Sequence, residues 1–275
     1  MNPRRSYSPI LALSLLVVAG FAGPARSADR KQLLIVGQSK GYQHDAVSAA
    51  MVTLYQLGKE TGEWDAHFRT DCGNITKKPL KWEAKNLDRF DAVVFFTDGD
   101  LDMDESQKAD LLSFIRDDGK GFLGIHSASI TFTGWPEYGR MLGGSFDGHP
   151  WGQFEAPLVV EAPDFPGMTG LPARFTLKDE IYQIKGFSRD KVRVLLSVDP
   201  DKVDLARPGV SRAGREFPVA WARDYGKGRV AYNGLGHRLE AWERPEMRAM
   251  WRDTTRWVLG FTPGDASPRP AVSAR

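Results

Sequence analysis

Three short runs of almost unbroken apolar residues constrain the fold more than anything else in the chain. They are Leu33-Leu34-Ile35-Val36, Asp91-Ala92-Val93-Val94-Phe95-Phe96 and Gly121-Phe122-Leu123-Gly124-Ile125. Each has the length of a strand and lacks polar alternation, which is the pattern of a strand covered on both faces. Helical patterns lie between them. Val47, Ala50, Met51, Leu54 and Leu57 form one stripe, and Asp104 with Gln107 makes a capping box ahead of Leu111, Leu112 and Ile115. With a further strand expected over Trp64 to Arg69, the rhythm predicts an α/β fold with a doubly wound, mostly parallel sheet.

The second half of the chain predicts an antiparallel extension. Glu155 to Glu161, Phe175-Thr176-Leu177 and Lys191 to Val198 read as strands. Phe217 to Arg223 and Arg229 to Asn233 flank the glycine-rich hairpin loop Asp224-Tyr225-Gly226-Lys227-Gly228. Pro245 opens a last helix with Met247, Met250, Trp251, Thr254, Trp257 and Val258 at helical spacing, and Gly260 closes it.

Residues 1–27 read as a signal peptide. Arg4 and Arg5 are followed by an apolar stretch from Ile10 to Gly20, and Ala25-Arg26-Ser27 fits small-residue cleavage. Export to the periplasm or the exterior is therefore expected, with one domain over 28–262 and a Pro- and Ala-rich disordered tail over 263–275. Removing Arg4, Arg5 and Arg26 changes the formal charge from +2 to −1, which argues against nucleic acid and against stable membrane association. Cys72 is the single cysteine, so the fold rests on its core rather than on a disulfide. A homo-oligomer is left open.

The run at Gly121 ends in Gly124-Ile125-His126-Ser127-Ala128, a strand-to-turn elbow with histidine where a hydrolase or amidotransferase places its nucleophile. Ser127 and Ser129 are off the elbow centre, and Cys72 has no elbow around it. The glycine-rich loops lack both a phosphate-loop ending and the G-x-G-x-x-G fingerprint, so no nucleotide cofactor is expected.

His44, His126, His149 and His237 fall in glycine-rich loops; His126 directly follows a predicted strand, and His44 and His237 also map to the carboxyl edge of the predicted sheet. Ligands of open α/β sheets bind outside the carboxyl ends of the strands. These four histidines are the candidate ligands for a divalent metal, zinc first, with His126 and His237 also candidates for acid and base. A single histidine at a turn serves equally well as a structural cap, and His67, inside a strand, is read that way. Glu180 in Asp179-Glu180-Ile181-Tyr182 is a candidate base or ligand, and Tyr182 a hydrogen-bond partner for substrate. Tyr42 in a strand-end loop, and Trp151 and Trp242 in polar loops, are further candidate substrate contacts, because aromatic faces stack on sugar rings. Asp98 after the third predicted strand is a candidate crevice acid in contact with substrate.

Taken together, these pieces resemble the trehalose-utilisation (ThuA-like) family from Leu33 to about Gly260. The matching segments are Lys40-Gly41-Tyr42-Gln43-His44-Asp45, Gly121 to Ala128, Gly143-Gly144-Ser145-Phe146 with His149-Pro150, and Asp179-Glu180-Ile181-Tyr182. Pro218-Val219-Ala220-Trp221, Gly226-Lys227-Gly228-Arg229-Val230 and Gly236-His237 complete them. The resemblance implies a flavodoxin-like, class I glutamine amidotransferase-like fold whose elbow has lost its cysteine. It also implies a role with trehalose and related glycosides, alongside oxidoreductases that make 3-keto sugars. Ile181 stands where the family usually has tryptophan.

The function expected is thus an exported carbohydrate-processing enzyme acting on trehalose-type or 3-keto-glycoside sugars. Its chemistry would be histidine-centred, by metal assistance or by acid and base, as a lyase, hydrolase or isomerase and not a glutaminase. A non-catalytic sugar-binding module on the same scaffold is the alternative.

Overall fold

The computed structural model describes residues 30–211 and 216–270. The expected signal peptide, 1–27, and the end of the expected tail, 271–275, lie outside the described residues. β1 (Lys31–Val36), β2 (Trp64–Arg69), β3 (Ala92–Phe95) and β4 (Gly121–Ile125) form the first half of the sheet. They are joined by α1 (Ala46–Thr61) and α2 (Glu105–Arg116), and α3 (Pro136–Leu142) follows β4. After these come β5 (Ser145–Phe146), β6 (Gln153–Val160), β7 (Arg174–Glu180), β8 (Ile184–Lys185) and β9 (Arg193–Val198). The hairpin β10 (Pro218–Tyr225) and β11 (Gly228–Asn233) leads to α4 (Glu240–Glu243) and α5 (Pro245–Val258).

One nine-stranded sheet runs in the order β2-β1-β3-β4-β11-β10-β9-β6-β7, with β5 and β8 paired separately. The first five strands are parallel, and from β10 onward each pairing is antiparallel. The parallel part has flavodoxin-like order with its switch point beside β1. The antiparallel strands, expected as an extension, continue the same sheet rather than forming a separate layer.

The apolar runs explain this arrangement. Because strand side chains alternate, β1 sends Leu33 and Ile35 to one core and Leu34 and Val36 to the other. The first core receives Ala50, Leu54 and Leu57 of α1 with Met247, Met250 and Trp251 of α5. Leu111, Phe114 and Ile115 of α2 and Tyr138 and Met141 of α3 fill the second. The helix boundaries follow their caps: Gly62 closes α1 in the left-handed region, and Pro245 sits at the start of α5.

Some boundaries differ from expectation. β6 starts at Gln153, two residues earlier than its apolar pattern shows, and β7 continues through Asp179 and Glu180 instead of ending before them. Residues 189–191 form a short turn, so β9 begins only at Arg193. The described part of the expected tail carries no helix or strand, yet it packs. Ala266 joins the core and the Trp257 indole donates to the Gly264 carbonyl at 3.3 Å, which corrects the disordered reading for 263–270.

The Asp104 side chain accepts from Gln107 N at 2.8 Å while the Gln107 side chain accepts from Asp104 N at 3.1 Å. Asp104→Ala is expected to cost about 1 kcal/mol. In urea unfolding, the midpoint should fall with an unchanged m-value.

Candidate functional site

The carboxyl ends of the parallel strands bring the histidines together. His44 lies between β1 and α1, His126 immediately after β4, and His237 just past β11. His126 has φ +45, the sparsely populated region for a side-chain-bearing residue, at the centre of the elbow that the sequence suggested. The turn demands small neighbours: a Cβ on Gly124 would lie 2.7 Å from Leu142 Cδ1 and 3.3 Å from Ala128 Cβ. Gly41, before the His44 loop, would place its Cβ against Asp98 Oδ1.

The three imidazoles form a compact triangle. Ring centroids are 4.9 Å apart for His44 and His126, 5.0 Å for His44 and His237, and 5.2 Å for His126 and His237, each pair close to perpendicular. Glu180, the last residue of β7, closes the group from the antiparallel side. Its Oε2 is 3.2 Å from His237 Nδ1 and 3.6 Å from His126 Nε2, and the two nitrogens are 3.2 Å apart. All four residues offer a ligand atom within 4.8 Å of one another.

Burial decides the protonation states. His44 is 4% exposed, and burial, reinforced by His126 and His237, lowers its pKa from 6.5 to about 3. It is therefore a neutral imidazole at ordinary pH. Burial pushes the Glu180 carboxyl upward, but its close contacts with His126 and His237 outweigh it and hold the group well below the usual range. Tyr182, with its hydroxyl 3.5 Å from His44 Nε2, is held protonated far above its ordinary value, by burial first and then by the Glu180 charge.

These residues fit a metal ion. His126 Nδ1 donates to the Gly234 carbonyl at 2.7 Å, which leaves Nε2 with its lone pair facing the centre. His44 Nδ1 is buried with no hydrogen-bond partner among the described residues. A tetrahedral zinc ion with bonds of about 2.0–2.2 Å separates its ligand atoms by roughly 3.4 Å. The spacings among His126, His237 and Glu180 match that figure.

Of the expected ligands, His149 departs from the group. Its Nδ1 is 3.5 Å from the other Glu180 oxygen and its side chain is 48% exposed, so it sits at the rim and Glu180 takes its place as fourth donor. Tyr42, His44, Asp98, His149, Glu180, Tyr182 and His237 line one cavity of about 360 Å³. Tyr42 is 64% exposed there. Asp98 lines the same cavity but spends Oδ1 on Tyr42 N at 3.1 Å, which holds the His44 loop.

Trp151 and Trp242 do not line this cavity, and both expectations are corrected. Trp151 is 6% exposed and its indole donates to the Asp204 carbonyl at 3.0 Å. Trp242 is 1% exposed, stacks on Trp251 at 4.3 Å and donates to the Gly236 carbonyl. Their flanking residues are polar, while the indoles themselves turn into the core. His67 is structural as expected, bonded to the Gln32 side chain at 2.8 Å. Cys72 is buried, and burial, with Asp71 and Asp102 adding to it, pushes its thiol up to about 12, so it supplies no thiolate.

Sequence reasoning missed two groups that shape the site. Asp179 is fully buried and accepts from Gly236 N at 2.7 Å and Arg238 N at 3.2 Å, bracketing His237. Its signal in the sequence is the acidic pair Asp179-Glu180. Gln153 reaches His237 Nε2 at 2.8 Å and accepts from Arg238 at 2.8 Å, with no motif to announce it.

The family model described as "ThuA: Trehalose utilisation" matches residues 32–258. Two solved structures of ThuA-like proteins share the fold. The one from Bacteroides uniformis ATCC 8492 is 21% identical with a TM-score of 0.69, covering 86% of this chain and 95% of its own. The one from Parabacteroides merdae ATCC 43184 is 20% identical with a TM-score of 0.64, covering 89% and 93% respectively. No curated protein matches the chain.

Two outcomes follow from this geometry. Because the folded pKa of His44 lies below its unfolded value, the unfolded chain binds more protons as pH falls from 6.5 toward 3, and stability is lost across that window. His44→Phe should flatten the fall of the urea midpoint between about pH 6.5 and 5, above the range where Glu180 protonation adds to it. Trp151→Ala should lower stability by about 3–5 kcal/mol without altering the affinity for any sugar the cavity binds, as calorimetry would show.

Proposed function

Because the chain belongs to the ThuA trehalose-utilisation family, we propose that it is an exported enzyme acting on a glycoside or 3-keto-glycoside sugar at the His44, His126, His237 and Glu180 centre. The observation that carries this reading is the buried group of three imidazoles and a carboxylate opening onto a cavity of about 360 Å³. A simple sugar-binding site has no need of so many buried titratable groups, and perturbed protonation in a cleft is a mark of chemistry. A second cavity of about 430 Å³ adjoins the first across Tyr42, Gln153 and His237, and it offers room for the other half of a glycoside.

The chain's own groups suit proton abstraction beside a carbonyl. Glu180 is ionised, and its Oε1, on the rim side facing His149, takes a proton from a sugar carbon flanking the keto group. His149, at the rim beside Oε1, passes that proton to solvent or to the departing group. The protonated Tyr182 hydroxyl hydrogen-bonds the oxygen on which charge develops. Tyr42, exposed and lying 13° from parallel with the His237 ring, provides an aromatic face for the sugar. A divalent ion, for which zinc suits three imidazoles best, would be held by His44, His126 and His237 and would polarise the keto oxygen. Elimination, hydration and isomerisation all begin from this abstraction. Export to the periplasm or the exterior rests on the Arg4-Arg5 and Ile10–Gly20 pattern.

The test joins metal content to turnover. Purified protein should carry about one divalent ion per chain, lost in the His126→Ala, His237→Ala double variant. Glu180→Gln should lower kcat on a 3-keto-glycoside by roughly 10²–10⁴ while the protein still binds the sugar. Full activity of Glu180→Gln would remove the base assignment. Tight sugar binding with no turnover of any keto-glycoside would instead favour the binding module.

A further inference from the structure

The two nitrogens of the His237 ring are gripped by residues that face each other across one ladder. Gln153 opens β6, Glu180 ends β7, and the two are directly paired in the antiparallel register. Cross-strand partners share a face of the sheet, so both side chains reach the same imidazole. Glu180 Oε2 is 3.2 Å from Nδ1, and Gln153 Nε2 is 2.8 Å from Nε2.

Hydrogen-bond polarity then leaves one proton arrangement. The Arg238 guanidinium is only a donor, and its Nη1 donates to Gln153 Oε1 at 2.8 Å. Arg238 is itself held by Glu240, whose carboxylate accepts from Nε at 3.1 Å and from Nη2 at 2.9 Å. With its oxygen committed to Arg238, the Gln153 amide must present its NH₂ to His237. His237 Nε2 must accept, so the ring proton lies on Nδ1, facing Glu180 Oε2 and the His126 Nε2 lone pair.

We propose that Gln153, oriented by Arg238, is a positioning residue that fixes the His237 proton on Nδ1 and thereby decides between two uses of the site. With the amide as found, the centre holds a proton shared among His237, His126 and Glu180. For His237 to ligate a metal through Nδ1, the proton must move to Nε2 and the amide must turn its oxygen toward the ring. Turning would set its NH₂ against the Arg238 donor. Arg238 therefore holds the site toward the proton-bearing state, and ion entry is coupled to release of the Gln153–Arg238 contact. The consequence for ligation rests on the functional reading above, whereas the proton position does not.

The experiment begins on metal-stripped protein labelled with ¹⁵N-histidine near pH 8. Long-range ¹H–¹⁵N spectra distinguish protonated from unprotonated ring nitrogens, and His237→Asn assigns the His237 signals by their loss. Wild type should show Nδ1 protonated and Nε2 bare. In Gln153→Glu the carboxylate can only accept, so the pattern should reverse, and Gln153→Ala should give a mixture. Zinc should then bind Gln153→Glu about 10- to 100-fold more tightly than wild type, with Gln153→Ala, which adds no charge, between them. Nε2 protonated in wild type, or an unchanged pattern in Gln153→Glu, would overturn the proposal. Should Gln153→Glu not fold, Arg238→Met serves: it frees the amide, and an unaltered His237 signal would be equally decisive. A wild type that binds no zinc at all would sink the metal reading while leaving the proton assignment to stand or fall on its spectra.

Discussion

A carboxylate removed from water costs several kcal/mol unless its oxygens are met by donors, and Glu180 is met almost entirely by histidines. Oε2 faces His237 and His126, and Oε1 faces His149. The imidazoles depend on the acid in turn, since the three rings lie within about 5 Å of one another and the nitrogens facing the centre need a partner. His44 carries the clearest sign of this mutual dependence, with a buried nitrogen that no described residue satisfies. Remove the acid, and the centre becomes a buried polar void; remove the rings, and the acid is an unpaired buried charge.

The backbone around this centre is over-determined in the manner expected of a functional site. His126 tolerates a positive φ because Gly124, Ala128 and the Tyr232 hydroxyl, donating to the His126 carbonyl at 2.8 Å, surround the turn. The His237 loop is fastened by Asp179 on either side of the histidine. The side chains therefore meet on a frame held by the chain's own hydrogen bonds.

The parallel half was legible because its strands are covered on both faces, so Leu33–Val36 and Gly121–Ile125 carry their burial in composition alone. His44, His126 and His237 were legible for a related reason: glycine-rich loops after buried strands mark the carboxyl edge of such a sheet. Gln153 was not, because its role arises from register, and the polar start of β6 gives no periodic signal. His149 looked equivalent to the other three in sequence, yet it follows no strand of the parallel half and reaches only the outer Glu180 oxygen. Trp151 and Trp242 show the limit of reading exposure from neighbours, since an indole is long enough to reach the core from a polar loop.

Glu180 comes from β7, at the far edge of the sheet, four strands beyond β11. Neighbouring strands lie about 4.8 Å apart, so a flat sheet would hold that carboxylate nearly 20 Å from the His237 loop. The observed contact therefore requires the antiparallel half to coil back over the carboxyl edge. Residues as distant in sequence as His44 and Tyr182 then meet there. Such contacts close long loops, whose ends are costly to bring together. Anything that bridges the imidazoles and Glu180 ties the antiparallel half of the sheet to the parallel half, so occupancy of the centre and resistance to partial unfolding rise together.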